Sequence, residues 1–94
     1  MRTYNVEMTD TFSGEANYCW VKRETITMPE LAHYGYDGST NYRRANKVFR
    51  RELIRKVKAA LNLTGARCDV QWHGDDCEIR PRCLNVVVFV NYKD

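Results

Sequence analysis

The sequence predicts one small α+β domain, a mostly antiparallel sheet in the order β-β-α-β-β-β with one long basic amphipathic helix packed across one face. Three observations predict it. Ninety-four residues make a single domain, 1–94, with one modest core. Segments near both ends alternate apolar and polar residues with the period of a strand. The middle of the chain repeats apolar residues at helical spacing.

"TYNVEMT" alternates cleanly, with Tyr4, Val6 and Met8 on one face and Thr3, Asn5, Glu7 and Thr9 on the other. "NYCWVKRETITM" is a second strand, with Cys19 and Val21 on one face and Tyr18, Trp20 and Ile26 on the other. The slip between faces predicts a bulge near Lys22. "DTFSGEA" joins the two as a hairpin turning at Gly14. Trp20 and Tyr18 are expected under the helix or on the open face of the sheet. Pro29 ends the second strand, and Gly35 and Gly38 mark a loop.

A helix then starts from a cap at Ser39 or Thr40 and runs to Leu61 or Leu63, with Gly65 as its stop signal. Tyr42, Ala45, Phe49, Leu53, Val57, Ala60 and Leu61 form its apolar stripe. Arg43, Arg44, Lys47, Arg50, Arg51, Arg55 and Lys58 fill the opposite side. Glu52 is the only acid in that run, so Arg44, Lys47, Arg51, Arg55 and Lys58 are expected to be exposed and not mutually paired. "RCDVQWH" places Cys68, Val70 and Trp72 on one face, and "GDD" turns into "CEIR", which Pro81 halts. "NVVVFVNY", the most β-prone segment, is expected to be a central strand buried on both faces.

Composition narrows the function. A hydrophobic fraction of 44% supports a folded core rather than disorder. The longest apolar run, Val86 to Val90, cannot span a bilayer, and "MRTYNVEMTD" lacks the apolar stretch of a signal peptide. These features predict a cytoplasmic protein with reduced cysteines. Net charge is only +3, but Arg43 to Lys58 holds eight basic residues and one acid. Such a stripe is the electrostatic footprint of a phosphate or carboxylate partner; the bland alternative is a solvated face that keeps the protein soluble.

Other chemistry is poorly supported. Cys68, His73, Cys77 and Cys83 have zinc-ligand chemistry, but their spacing is not a knuckle, and Cys68 and Cys77 occupy inward strand positions. A thiol nucleophile at Cys19, Cys77 or Cys83 would need His33 or His73 as its base. Asp75, Asp76 and Glu78 match no cation loop and suit a turn. "HYGYDGS" lacks the Gly-Lys-Ser/Thr ending of a phosphate loop, and offers Tyr34 and Tyr36 as contacts instead. Glu15 and Asn17 belong to the hairpin, where turn chemistry is their bland role.

Across nearly the whole chain, "DTFSGEANYCWV", "ALNLTG" and "GDDCEIRPRCLNVVVFV" resemble a family of small uncharacterised proteins of bacterial plasmids, prophages and phages. The resemblance implies an accessory gene on a mobile element and carries over no site residue. Small proteins of that setting are often binders that modulate host machinery, anti-CRISPR proteins among them.

The sequence therefore predicts a non-enzymatic binding module without metal or cofactor. Its expected partner is a host protein or nucleoprotein complex, met through Arg43, Arg44, Lys47, Arg50, Arg51, Arg55, Lys58, Tyr34, Tyr36 and Glu15. Direct nucleic-acid binding through the helix is the first alternative, and a small metal-dependent or thiol enzyme the second. A membrane partner is not expected, because the core needs the apolar stripe.

Overall fold

The computed structural model describes residues 1–38 and 41–93. It is an α+β fold with a five-stranded antiparallel sheet and one α-helix. The elements are β1 (Arg2–Phe12), β2 (Glu15–Met28), a 3-10 turn (Leu31–Tyr34), α1 (Tyr42–Ala60), β3 (Cys68–His73), β4 (Asp76–Pro81) and β5 (Val86–Tyr92). The strands lie in the order β2-β1-β5-β4-β3.

The register sorts every strand residue onto one of two faces, because paired antiparallel residues share a side. Tyr4 faces Ile26 and Tyr92, and Val6 faces Val90. Cys77 and Ile79 continue that face through Val90 and Val88, and Val70 and Trp72 extend it to β3. This is the face that α1 covers. Its Tyr4, Val6, Met28, Ile79, Val88 and Val90 meet Phe49, Leu53 and Val57 of the helix in one buried cluster. Of the expected helical stripe, Tyr42 is exposed instead and Ala60 only half-buried.

Both tight hairpins follow from their turn residues. Ser13 and Gly14 both take positive φ, 54° and 83°, as a two-residue I′ turn demands. In the β3–β4 turn only Gly74 does, at 65°, the pattern of a II′ turn. The bulge, however, is not near Lys22. Val21 and Lys22 keep regular partners in Thr9 and Met8, while Asn17–Trp20 stand opposite Asp10 alone. That end of the hairpin turns over the open face, because Arg80, on the open face of β4, donates to the Gly14 carbonyl across β5 at 2.6 Å. Val87 and Thr9, on the face away from the helix, are consequently buried. Thr9 thus departs from its expected exposure, and its hydroxyl accepts the Tyr18 N–H at 2.9 Å.

The helix stops before Leu63 and before Gly65. Asn62 takes the left-handed conformation at φ 58°, Leu63 N–H donates to the Lys58 carbonyl at 2.7 Å, and Asn62 N–H donates to the Ala59 carbonyl at 3.3 Å. These bonds make a Schellman cap, which asparagine tolerates better than other non-glycine residues. At the other end, the expected cap at Ser39 or Thr40 lies outside the described residues. Asn41 precedes the helix without capping it. Its amide donates to the Gly35 carbonyl and its oxygen accepts the Asp37 N–H, so it shapes the loop instead.

Phe49 is the hinge of the core, edge-on to Tyr34 at 5.8 Å, tilted against Tyr4 at 6.3 Å and covered by the Arg2 guanidinium at 5.3 Å. Phe49→Ala is expected to lower unfolding free energy by ~3–5 kcal/mol, a large share of the ~5–15 kcal/mol typical of a native domain. Denaturant titration checks this; an unchanged midpoint would contradict the packing.

Candidate interaction surface

The side of α1 turned from the core carries the positive charge, but its members differ in how free they are. Arg55 pairs with Glu52 at 2.6 Å, and Lys58 is half-buried, donating to the Ala66 carbonyl at 2.7 Å. Lys58 departs from the expected exposure, because the chain returns past it after its cap, whereas Arg55 stays exposed with Glu52 three residues away. Mutual pairing raises the Arg55 pKa, while Glu52 is lowered by its bond to Arg55. Arg50 is not on the outer side. Its guanidinium lies 4.2 Å from the Trp72 ring centre and donates to the Gly74 carbonyl at 3.1 Å. Lys56, in none of the expected contact sets, donates to the Thr27 carbonyl at 3.2 Å.

Arg43, Arg44, Lys47 and Arg51 are exposed and make no hydrogen bond or ion pair among the described residues. Lys47 lies four residues from Arg43 and Arg51 and three from Arg44, helical spacings at which like charges repel and weaken a helix mildly. The fold gains nothing from that arrangement.

At Arg51 this ridge borders a groove. Between α1 and β3 it is lined by Arg50, Arg51, Ile54, Val70 and Trp72, with a volume of about 290 Å³. Past Ile54 it continues along Arg55, Lys58, Ala59, Thr64 and Gly65. Every charged side chain lining it is cationic. Val70, 37% exposed, forms part of its apolar wall.

The other expected contacts lie apart from this groove or inside the packing. Tyr34 is half-buried against Phe49, where burial raises its hydroxyl pKa. Tyr36 is half-buried edge-on to Tyr42 at 5.6 Å. Glu15 is exposed beside the hairpin turn. Arg2, which sequence reading passes over, fills the space between the Phe49 and Tyr92 rings and reaches Asp75 at 3.8 Å.

The hairpin end is a separate feature. Phe12, Tyr18 and Trp20 are 72%, 55% and 45% exposed, so neither Tyr18 nor Trp20 packs under the helix. Thr11 N–H donates to the Asn85 carbonyl, setting this end beside the β4–β5 turn. Arg50 reaches Gly74 in the β3–β4 turn, at the other end of β4. Tyr18 holds a left-handed φ of 57°, unusual for a bulky residue. Asp10 organises this conformation: its carboxylate accepts the Cys19 N–H at 2.8 Å and the Asn17 amide at 3.0 Å.

Among the described residues, no group of three or more His, Cys, Asp or Glu side chains could hold a metal ion. Cys68 belongs to the helix-covered face of β3 and His73 to the open one. Burial pushes the Cys77 thiol up to about 12, leaving it protonated and inert at neutral pH. Asp75 meets Arg2, Asp76 accepts the Tyr92 N–H at 2.7 Å, and Glu78 pairs with Arg80 at 2.9 Å. These carboxylates serve three different contacts rather than one site. No helix among the described residues is long and apolar enough to cross a membrane.

The chain matches no protein-family model, no curated protein and no solved structure.

Asp10 generates a pH prediction. The Asn17 amide first, then the backbone N–H groups, hold its carboxyl below the ordinary 3.8. A carboxyl lowered on folding stabilises the fold above its unfolded pKa and loses that effect as pH falls through its folded value. The Tyr18 and Cys19 amide resonances should therefore stay constant from pH 7 to 5 and shift with a midpoint below the ordinary 3.8. Titration of these signals at or above pH 5 would contradict the assignment.

Proposed function

We propose that the protein is a non-enzymatic binding module that docks an acidic surface of a partner protein against the cationic side of α1. The observation that carries this reading is the row Arg43, Arg44, Lys47 and Arg51, without hydrogen-bond or ion-pair partners among the described residues and meeting, at Arg51, a groove with an apolar wall. Charge complementarity of this kind accelerates encounter and selects the partner, while apolar contact holds it. The resemblance to accessory proteins of mobile elements makes a component of host machinery the expected partner, an anti-CRISPR role being one form of it.

Direct nucleic-acid binding is the second reading, supported by the same four cations. The aromatic placement favours protein. A single-strand binder interleaves exposed rings with its cations. Here Arg50 covers the Trp72 ring, Tyr42, exposed beside Arg43, is held edge-on to Tyr36, and Phe12, Tyr18 and Trp20 stand on the hairpin at the other end of β4.

Capture from host lysate with and without nuclease separates the two. A protein partner survives nuclease and is lost when Arg44, Lys47 and Arg51 are changed together to Glu. That triple variant should stay folded, because exposed surface changes away from special features cost little stability. A nucleic-acid partner would vanish with nuclease, and its affinity would fall with salt at a logarithmic slope of about −3 to −4 for four phosphate contacts. Full retention of the partner by the folded triple variant would overturn both readings.

A further inference from the structure

The strand order leaves two free edges, on β2 and β3, and the chain treats them differently. Along β2 the Asn17–Trp20 bulge interrupts pairing, Lys22, Arg23 and Glu24 place charges in succession, and Lys56 donates to the Thr27 carbonyl. Bulges and charges are the usual devices that stop another chain from adding a strand. The β3 edge has no bulge, and its single carboxylate, Asp69, is paired with Arg82. Its six residues pair with β4 without a break, from Cys68 opposite Pro81 to His73 opposite Asp76. It contains no lysine, proline or glycine. Among the described residues no loop or side chain bonds to its outward backbone groups.

This edge adjoins the cationic groove. Val70 and Trp72 of β3 form one side and Ile54 of α1 the other, with Arg51, Arg55 and Lys58 along its length. A regular strand edge presents N–H and C=O groups in alternation. A polypeptide backbone complements that row; a phosphate chain, which has acceptors only, does not.

We propose that an extended acidic segment of the partner protein adds as a further antiparallel or parallel strand to β3. Alternate side chains of that segment face the groove. An aliphatic one rests on Val70 and Ile54, and carboxylates meet Arg51 and Arg55. This rests on the acidic-partner reading above and adds how the partner is held: backbone pairing supplies affinity, and the groove supplies selectivity.

The probe is a nine-residue fluorescein-labelled peptide repeating Thr-Val-Thr-Glu, used with the intact protein and read by fluorescence anisotropy. Its control carries the same side chains with alternate amides N-methylated. The parent peptide should bind, and the methylated one should lose about tenfold or more, the effect of roughly two net hydrogen bonds. Arg51→Glu should weaken the parent by a similar factor, and binding should slow amide hydrogen exchange at alternate β3 residues while leaving β2 unchanged. Equal binding of both peptides, with loss in Arg51→Glu, would overturn strand addition and leave the acidic-partner reading intact. Protection of β2 instead of β3, or no binding by either peptide at millimolar concentration, would also overturn the proposal. Partner capture by the Arg44, Lys47 and Arg51 triple variant decides the broader reading independently of either result.

Discussion

One helix cannot cover a five-stranded sheet, and the rest of this structure is arranged around that shortfall. Five strands at about 4.8 Å spacing span about 19 Å, whereas a helix with its side chains is about 10 Å across. The chain places its largest apolar groups where coverage is complete. Phe49, Leu53 and Val57 press onto Tyr4, Val6, Val88, Val90 and Ile79 of the inner strands. The two flanks receive different solutions. On the β2 side, the 3-10 turn buries Leu31 and Lys56 reaches across to Thr27. On the β3 side, the Arg50 guanidinium lies over Trp72 and Val70 stays partly open. Between α1 and β3 the groove exposes the uncovered remainder of the helix-facing sheet surface.

The same geometry sorts the basic residues. Those near the sheet are drawn into intramolecular contacts with carbonyls or rings, as Arg50, Lys56 and Lys58 show. Arg43, Arg44, Lys47 and Arg51 point outward and meet no hydrogen-bond or ion-pair partner among the described residues. Solubility alone would be served by mixing acids among them, which would also relieve the i,i+4 repulsion. The acids are instead spent elsewhere: Asp10 fixes the bulge, Asp75 faces Arg2, Glu78 pairs with Arg80 and Asp69 with Arg82. The result is a cationic ridge beside an uncovered strand edge.

What the sequence made legible was the local pattern. Tyr4 and Val6 alternate with Thr3 and Asn5, and Phe49, Leu53 and Val57 recur at helical spacing, so their facing residues could be named in advance. What it hid depends on distant residues. Thr9 is polar and alternates outward, yet it is buried because the hairpin end folds over to reach Arg80. Tyr18 gives no local signal of a left-handed backbone, since that conformation is held by Asp10 and Thr9 across the strand pair. Arg50 looks like any other arginine of its run until β3 brings Trp72 beneath it. Gly65 and Asn62 are both residues that accept positive φ, and the cap falls to Asn62 because Leu63 is thereby returned to the core. The free edge of β3 could not be read at all, because strand order is set by long-range pairing.

The central claim is that the outer side of α1 and its groove form the contact surface, and site-specific photo-crosslinking tests it most directly. A photoreactive phenylalanine derivative would be placed in turn at Arg51, at Val70 and at Thr25, an exposed position on the open face of β2. The account predicts that Arg51 and Val70 positions both crosslink one protein from host lysate and that Thr25 does not. Crosslinking confined to Thr25, or to nucleic acid at all three positions, would contradict it.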